Sequence, residues 1–177
     1  GVGHIPVPVV HGLTMGEIAL MAMGEGWTKR AKVTIVKCCN YDHQTHYELP
    51  IAPSPNLTTQ RSIYLYPSLC LFEGTVASVG RGTEAPFEIY GHPEMENRDF
   101  LFVPQSVAAA SEPPHMNKVC YGVDLRDKSY EDIWREGLDL SYVIDAYNDL
   151  NMGEAFFKPM FEKLIGVEWV RDMIIEG

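Results

Sequence analysis

The chain has 177 residues, a formal charge of −10 and 46% hydrophobic residues; this suffices for a single domain over 1–177, because a chain of this size buries about 70% of its extended surface. The composition excludes an intrinsically disordered polymer, and the acidic balance excludes a general nucleic-acid binder, which needs basic charge to replace phosphate counterions. No apolar run approaches the roughly 20 residues of a membrane span, and no helix carries the Lys/Arg-rich face of a membrane-surface segment.

In chain order, Pro6 and Pro8 hold the first segment extended. Thr14-Met-Gly-Glu17 has the capping-box form and predicts a helix over 15–23, with Ile18, Met21 and Ala22 on its apolar face. Gly24 and Gly26 end it. Ala31 to Cys39, rich in β-branched residues, predicts a strand. Pro50, Pro53 and Pro55 make 49–57 an extended loop. Residues 62–72 are apolar and aromatic and read equally as strand or short helix. Short strands are expected over 87–90, 100–103 and 119–125. Ser129 caps a helical half in which Ile133, Trp134, Leu138, Val143, Tyr147 and Leu150 keep helical spacing to Asn151. Further helices are expected over 156–165 and from Val167. The order predicts an α/β or α+β fold: a mixed sheet of short strands with flanking helices and a helical C-terminal third.

Cys38, Cys39, Cys70 and Cys120 form no C-x-x-C pair, which argues against structural zinc, and they read as small buried hydrophobes. The N-terminus lacks a basic region followed by an apolar stretch, so no signal peptide is read there. Both ends read as cuts.

Gly80-Arg-Gly-Thr-Glu-Ala85 matches G-x-G-x-x-A, but Pro86 and an extended segment follow where a dinucleotide site needs a helix. The better reading is a tight loop that projects the Arg81 guanidinium toward ligand oxygens. Ala77-Ser-Val-Gly80 misses the nucleophile elbow, because Val76 stands where the first glycine belongs. Asp42, His43, His46 and Glu48 are of metal-ligand type, but their stretch precedes a Pro-rich loop rather than lying on a helix, so no metal is assigned. Glu73 follows an apolar run directly and needs a partner. An ion pair with Arg81, a helix cap and a cleft-lining carboxylate all fit. His11 stands before the first helix, either as a locally satisfied side chain or as a site residue. Tyr64, Tyr66, Phe72, Phe87 and Tyr90 read as core rather than as a sugar platform.

Five separated stretches agree in order with one family: Val9-Val-His-Gly-Leu-Thr-Met-Gly-Glu17; Pro53-Ser-Pro-Asn56; Leu65-Tyr-Pro-Ser-Leu-Cys-Leu-Phe-Glu-Gly-Thr75; Gly80-Arg-Gly-Thr83 with Pro86-Phe87-Glu88; and Cys120-Tyr-Gly-Val-Asp-Leu125. From Gly3 to Gly166 the chain resembles the C-terminal part of the NamZ-type exo-β-N-acetylmuramidases, glycoside hydrolase family 171, once catalogued as a bacterial domain of unknown function. Val79 departs from the pattern, since many members carry Glu before Gly-Arg-Gly-Thr.

The resemblance implies a two-domain enzyme that removes N-acetylmuramic acid from non-reducing ends of peptidoglycan fragments. Its Rossmann-like N-terminal domain, with a catalytic Glu-His-Gly motif, would be absent here; Glu-His-Gly does not occur in this chain. The chain is then expected to form one wall of the cleft, lined by His11, Asn56, Glu73 and Arg81, with Glu73 the one catalytic candidate. Asn56 offers donors and an acceptor to acetamido or hydroxyl groups, and Arg81 a fork for the lactyl carboxylate. No metal or organic cofactor is implied. The expected partners are a peptidoglycan-derived sugar and the N-terminal domain, with no nucleic acid and no membrane span. The implied location is exported, periplasmic or extracellular. The alternative is a non-catalytic glycan- or protein-binding module.

Overall fold

The computed structural model describes residues 5–176. They divide into two compact units, one over Val7–Glu48 and one from Leu49 onward. The elements run α1 (Met15–Gly24), α2 (Gln60–Leu69), a 3-10 turn (Cys70–Gly74), β1 (Ile89–His92), β2 (Phe100–Phe102), β3 (Cys120–Asp124), α3 (Tyr130–Glu136), α4 (Ser141–Leu150), a 3-10 turn (Gly153–Phe156), α5 (Met160–Ile165) and α6 (Trp169–Glu176). The α/β class and the helical C-terminal third are as expected.

In the larger unit the strands are ordered β1-β3-β2 and pair antiparallel throughout. Side chains on neighbouring strand positions point to opposite faces. Tyr90 accordingly enters the main core, while Ile89 joins a smaller cluster with Ala85, Phe102 and Cys120. The main core is built on Leu65, Leu69 and Phe72, with Ile133 and Val143 from α3 and α4 and Phe156 and Phe161 behind them. Phe72 stacks on Tyr90 with ring centroids 4.6 Å apart. Gly91 and Gly122 face each other across β1 and β3. A Cβ on Gly122 would stand 1.9 Å from the Tyr90 carbonyl, so this close strand contact requires glycine.

The ambiguous run 62–72 is helical. Ser62, Leu65 and Leu69 are its buried positions, at helical spacing, and Thr59 and Ser62 cap it reciprocally, with Oγ to N–H contacts of 3.0 and 3.2 Å. The helical pattern that runs on to Asn151 is broken into α3 and α4 at Gly137.

The smaller unit holds α1, capped as predicted: Thr14 Oγ1 accepts from the Glu17 N–H, and Glu17 Oε2 accepts from the Thr14 N–H. The expected strand over 31–39 is not formed, because no neighbouring strand pairs with it among the described residues. Two of the four cysteines also depart from expectation: Cys70 and Cys120 are buried, but Cys38 and Cys39 are exposed in this same stretch.

Candidate functional site

Tyr66 on the last turns of α2, Glu73 on the 3-10 turn, and Arg81 and Phe87 on the following loop come together on the larger unit. The loop is set by its backbone. Gly80 and Gly82 flank Arg81 with φ of 76° and 81°. Such positive φ favours glycine, and a Cβ on Gly82 would stand 2.4 Å from the Gln105 carbonyl. The Thr83 hydroxyl donates to the Gly80 carbonyl at 2.7 Å, and the Phe87 N–H donates to the Val79 carbonyl at 2.9 Å. Val79, the departure from the family pattern, is itself buried.

Arg81 Nη2 donates to Glu73 Oε1, and the guanidinium lies 5.3 Å from the centre of the Phe87 ring. Both paired side chains remain about 30% exposed, at 31% for Arg81 and 29% for Glu73. The Arg81 Nε–H is buried and meets no acceptor among the described residues. The exposed part of the guanidinium suits a ligand oxygen. Phe87 is 1% exposed yet has φ of 59°, a conformation that costs of order 1–3 kcal/mol and concentrates at functional sites. The Tyr66 ring lies 5.1 Å from Phe87. Burial, then the neighbouring Cys70 and Glu73, raise the Tyr66 pKa against the pull of Arg81, so the phenol is a neutral donor. Burial pushes the Cys70 thiol up to about 11, with Glu73 adding to it, so it is protonated at neutral pH and is not a nucleophile.

The four residues singled out in the sequence are distributed unequally. Glu73 and Arg81 form the pair. Asn56 lies in the same unit, but it is buried and its Nδ2 donates to the Ala109 carbonyl at 3.2 Å, which ties down the 107–110 turn. His11 belongs to the other unit, where its Nδ1 accepts from the Leu13 N–H at 3.0 Å. His43 pairs with Glu17 at 3.0 Å. No group of three or more metal-type ligands gathers among the described residues.

Two features escaped the sequence reading. Glu88, 4% exposed, accepts from the Thr59 hydroxyl at 2.5 Å and pairs with Arg61 at 3.4 Å. It ties the start of α2 to the loop that carries Arg81, and Pro86-Phe87-Glu88 directly after the Gly-Arg-Gly-Thr run was the signal that pointed to it. The second is a cleft of about 550 Å³ between the 82–85 stretch and β2, with Arg126 at its edge. That volume suits a small ligand. None of His11, Asn56, Glu73 or Arg81 lines it. Arg126 is fixed there by Asp124, with Nη2 to Oδ2 at 2.7 Å, and lies 5.7 Å over the Phe100 ring.

Among the described residues no helix is long and apolar enough to cross a membrane. Residues 64–177 match the family description "Exo-beta-N-acetylmuramidase NamZ, C-terminal", and residues 1–61 match "Exo-beta-N-acetylmuramidase NamZ, N-terminal". The chain is 34% identical to the peptidoglycan β-N-acetylmuramidase NamZ of Bacillus subtilis, over 99% of this chain and 46% of that protein. It resembles the crystal structure of a DUF1343 family protein from Bacteroides fragilis with a TM-score of 0.94 and 53% identity, over 98% of this chain and 50% of that one. A second DUF1343 structure from the same organism, 20% identical with a TM-score of 0.69, shares the fold. The chain thus spans about half the length of these relatives. With family matches running through both of its parts, this chain belongs to the NamZ exo-β-N-acetylmuramidase family.

Proposed function

We propose that this chain supplies the sugar-recognising wall of a cleft in an exo-β-N-acetylmuramidase, an enzyme that releases N-acetylmuramic acid from non-reducing ends of peptidoglycan fragments outside the cytoplasm. The observation that carries this reading is the Glu73–Arg81 pair on its glycine-framed loop, with both side chains still partly exposed. A guanidinium has five N–H donors. One goes to Glu73 and the Nε–H is buried, which leaves Nη donors to suit the lactyl carboxylate that separates a muramyl from a glucosaminyl sugar. Glu73 orients Arg81 and offers its remaining lone pairs to sugar hydroxyls. Tyr66 adds a neutral hydroxyl beside them. Asn56 belongs to the same reading through the loop it anchors. The acid that protonates the glycosidic oxygen is assigned to the part of the enzyme outside these residues, since glycosidases set two carboxyl groups about 5–9 Å apart across the bond.

A nuclear magnetic resonance titration of the 177-residue chain with N-acetylmuramic acid and N-acetylglucosamine tests this. The muramyl sugar should shift resonances of the 80–88 loop. Arg81→Ala should weaken that response at least about tenfold, the worth of one lost charge-assisted contact, and leave the glucosaminyl response unchanged. Equal loss for both sugars removes the lactyl pairing. The chain alone should not hydrolyse a chromogenic β-N-acetylmuraminide. Turnover that disappears in Glu73→Gln would overturn the reading and make Glu73 catalytic.

A further inference from the structure

The cleft beside β2 lies wholly within the larger unit, and neither Glu73 nor Arg81 lines it. Residues paired across antiparallel strands share a face. By the observed register, Ile89, Phe100 and Phe102 therefore stand on one face of the sheet, and Tyr90 on the other enters the main core. Phe102 leans across the strands, since a Cβ on Gly91 would stand 2.9 Å from its ring. Ala85 packs against this same cluster and brings the 82–85 stretch over it. That stretch is pinned at one end, where the Gln105 N–H donates to the Gly82 carbonyl at 2.8 Å. Thr83 stiffens it, its hydroxyl oxygen accepting from the Ala85 N–H at 3.1 Å. The two walls thus part from a fixed base, which makes the cleft preformed and lowers the ordering cost of binding.

The lining divides by chemistry. Ile89, Phe100 and Phe102 are apolar, whereas Glu84, Gln105 and Arg126 are polar. Asp124 fixes the Arg126 guanidinium, with Nε to Oδ1 at 2.9 Å and Nη2 to Oδ2 at 2.7 Å. These hydrogen bonds hold Asp124 below the usual carboxylate range, so the pair stays charged. Glu84 meets Arg126 Nη1 at 3.5 Å and keeps a side chain 89% exposed. Charge then selects the ligand. One guanidinium already faces two carboxylates, which disfavours an anion. No group of three metal-type ligands gathers among the described residues to hold a metal ion. A wholly apolar ligand would desolvate Glu84 and Arg126 without a bond in return. An uncharged sugar satisfies both halves: its C–H face suits the apolar wall, and its hydroxyls donate to a carboxylate and accept from a guanidinium. We infer that this cleft is a second sugar site, which binds an uncharged N-acetylhexosamine unit against Ile89, Phe100 and Phe102, with its polar groups between Glu84 and Arg126. The inference rests on the glycan reading above for the polymer concerned, and it gives the chain a hold on glycan apart from the Glu73–Arg81 pair.

The test titrates the 177-residue chain with N,N′-diacetylchitobiose, an uncharged N-acetylglucosamine disaccharide, and reads the amides of Phe100–Val103 and the Arg126 Nε–H by nuclear magnetic resonance. Both sets of resonances should shift together and saturate. Arg126→Ala should weaken the response about tenfold or more, and Arg126→Lys should not restore it, because an ammonium lacks the planar fork. Glu84→Ala changes an exposed side chain with no packing to lose and should weaken the response about threefold. N-acetylmuramic acid, which carries a carboxylate, should shift these resonances more weakly than the uncharged disaccharide. The response does not involve Arg81, so it is expected in Arg81→Ala as well; loss of the muramyl response there, or its failure to appear, leaves this result standing. The proposal is overturned by absence of any shift up to about 50 mM sugar, by a response that survives both Arg126→Ala and Glu84→Ala, or by inorganic phosphate or tri-alanine shifting the same resonances more strongly than the sugar.

Discussion

α1 and α2 have the same length and the same kind of start, and they end in opposite circumstances. Each runs ten residues from a reciprocal threonine cap. α1, Met-Gly-Glu-Ile-Ala-Leu-Met-Ala-Met-Gly, is the more apolar by sequence, yet it buries no residue. α2, with Gln60, Arg61 and Pro67 in its sequence, buries Ser62, Leu65, Ser68 and Leu69. Local signals therefore decide whether a helix forms and where it starts, whereas burial depends on what the rest of the fold brings to it. Apolar content by itself does not bury an element. The two units differ in the same way, one closed around a core and one built of capped but uncovered pieces.

The strongest way to break this comparison is to remove matched side chains from the two units. Phe72 is fully buried against Tyr90, so Phe72→Ala should cost about 3–5 kcal/mol in denaturant unfolding of the larger unit. Ile18→Ala on α1 should change that transition by no more than about 0.5 kcal/mol. Comparable costs for the two would show that Val7–Glu48 shares the core's cooperativity and would erase the distinction.

The caps give a second, smaller contrast. The Thr59 hydroxyl accepts from the Ser62 N–H and donates to the buried Glu88 carboxylate. Thr59→Ala thus loses a helix cap and leaves a buried charge short of a donor, a loss of about 2–3 kcal/mol. Thr14→Ala loses a cap of the same type in the exposed setting of α1. Its effect should be confined to faster amide exchange within Met15–Gly24, with the unfolding midpoint of the larger unit unmoved. A shift of that midpoint by Thr14→Ala would place α1 inside the cooperative core.

What was legible in the sequence follows the same division. The caps at Thr14 and Ser129 and the short strands near 89, 100 and 120 were readable because each rests on neighbours in sequence or on a motif with one physical meaning, whereas the pairing of Glu73 with Arg81 was one of three readings open for that carboxylate. The aromatic run 62–72 was ambiguous because aromatic and apolar residues suit strands and buried helices alike. The strand expected at 31–39 shows the limit of local reading: its composition is that of a strand, but a strand exists only with a partner. Cys38 and Cys39, read as small buried hydrophobes, are exposed because they lie in this same unpaired stretch. Asn56 was legible as a motif residue but not as an anchor, because its contact with Ala109 lies far off in sequence.

Acid should separate the units most finely. His92 is buried at the end of β1 with its ring 4.4 Å from that of His115. Burial, then the neighbouring His115, lowers its pKa from 6.5 to about 4, with Lys118 and Lys158 adding to the effect and Glu94 opposing it. His115 is lowered as well, by its own burial, although its ring contact with the Val76 carbonyl resists this. Between pH 6.5 and 4 the unfolded chain therefore binds a proton at residue 92 that the native chain refuses, so stability falls as pH falls through that window. From pH 7 to 5 the loss from His92 should be about 2 kcal/mol in denaturant unfolding of the larger unit. His92→Gln should remove most of that slope, and the exchange of amides in Val7–Glu48 should not follow it. A slope unchanged by His92→Gln would move the acid sensitivity to other groups. A slope shared by α1 would mean that the two units unfold together after all.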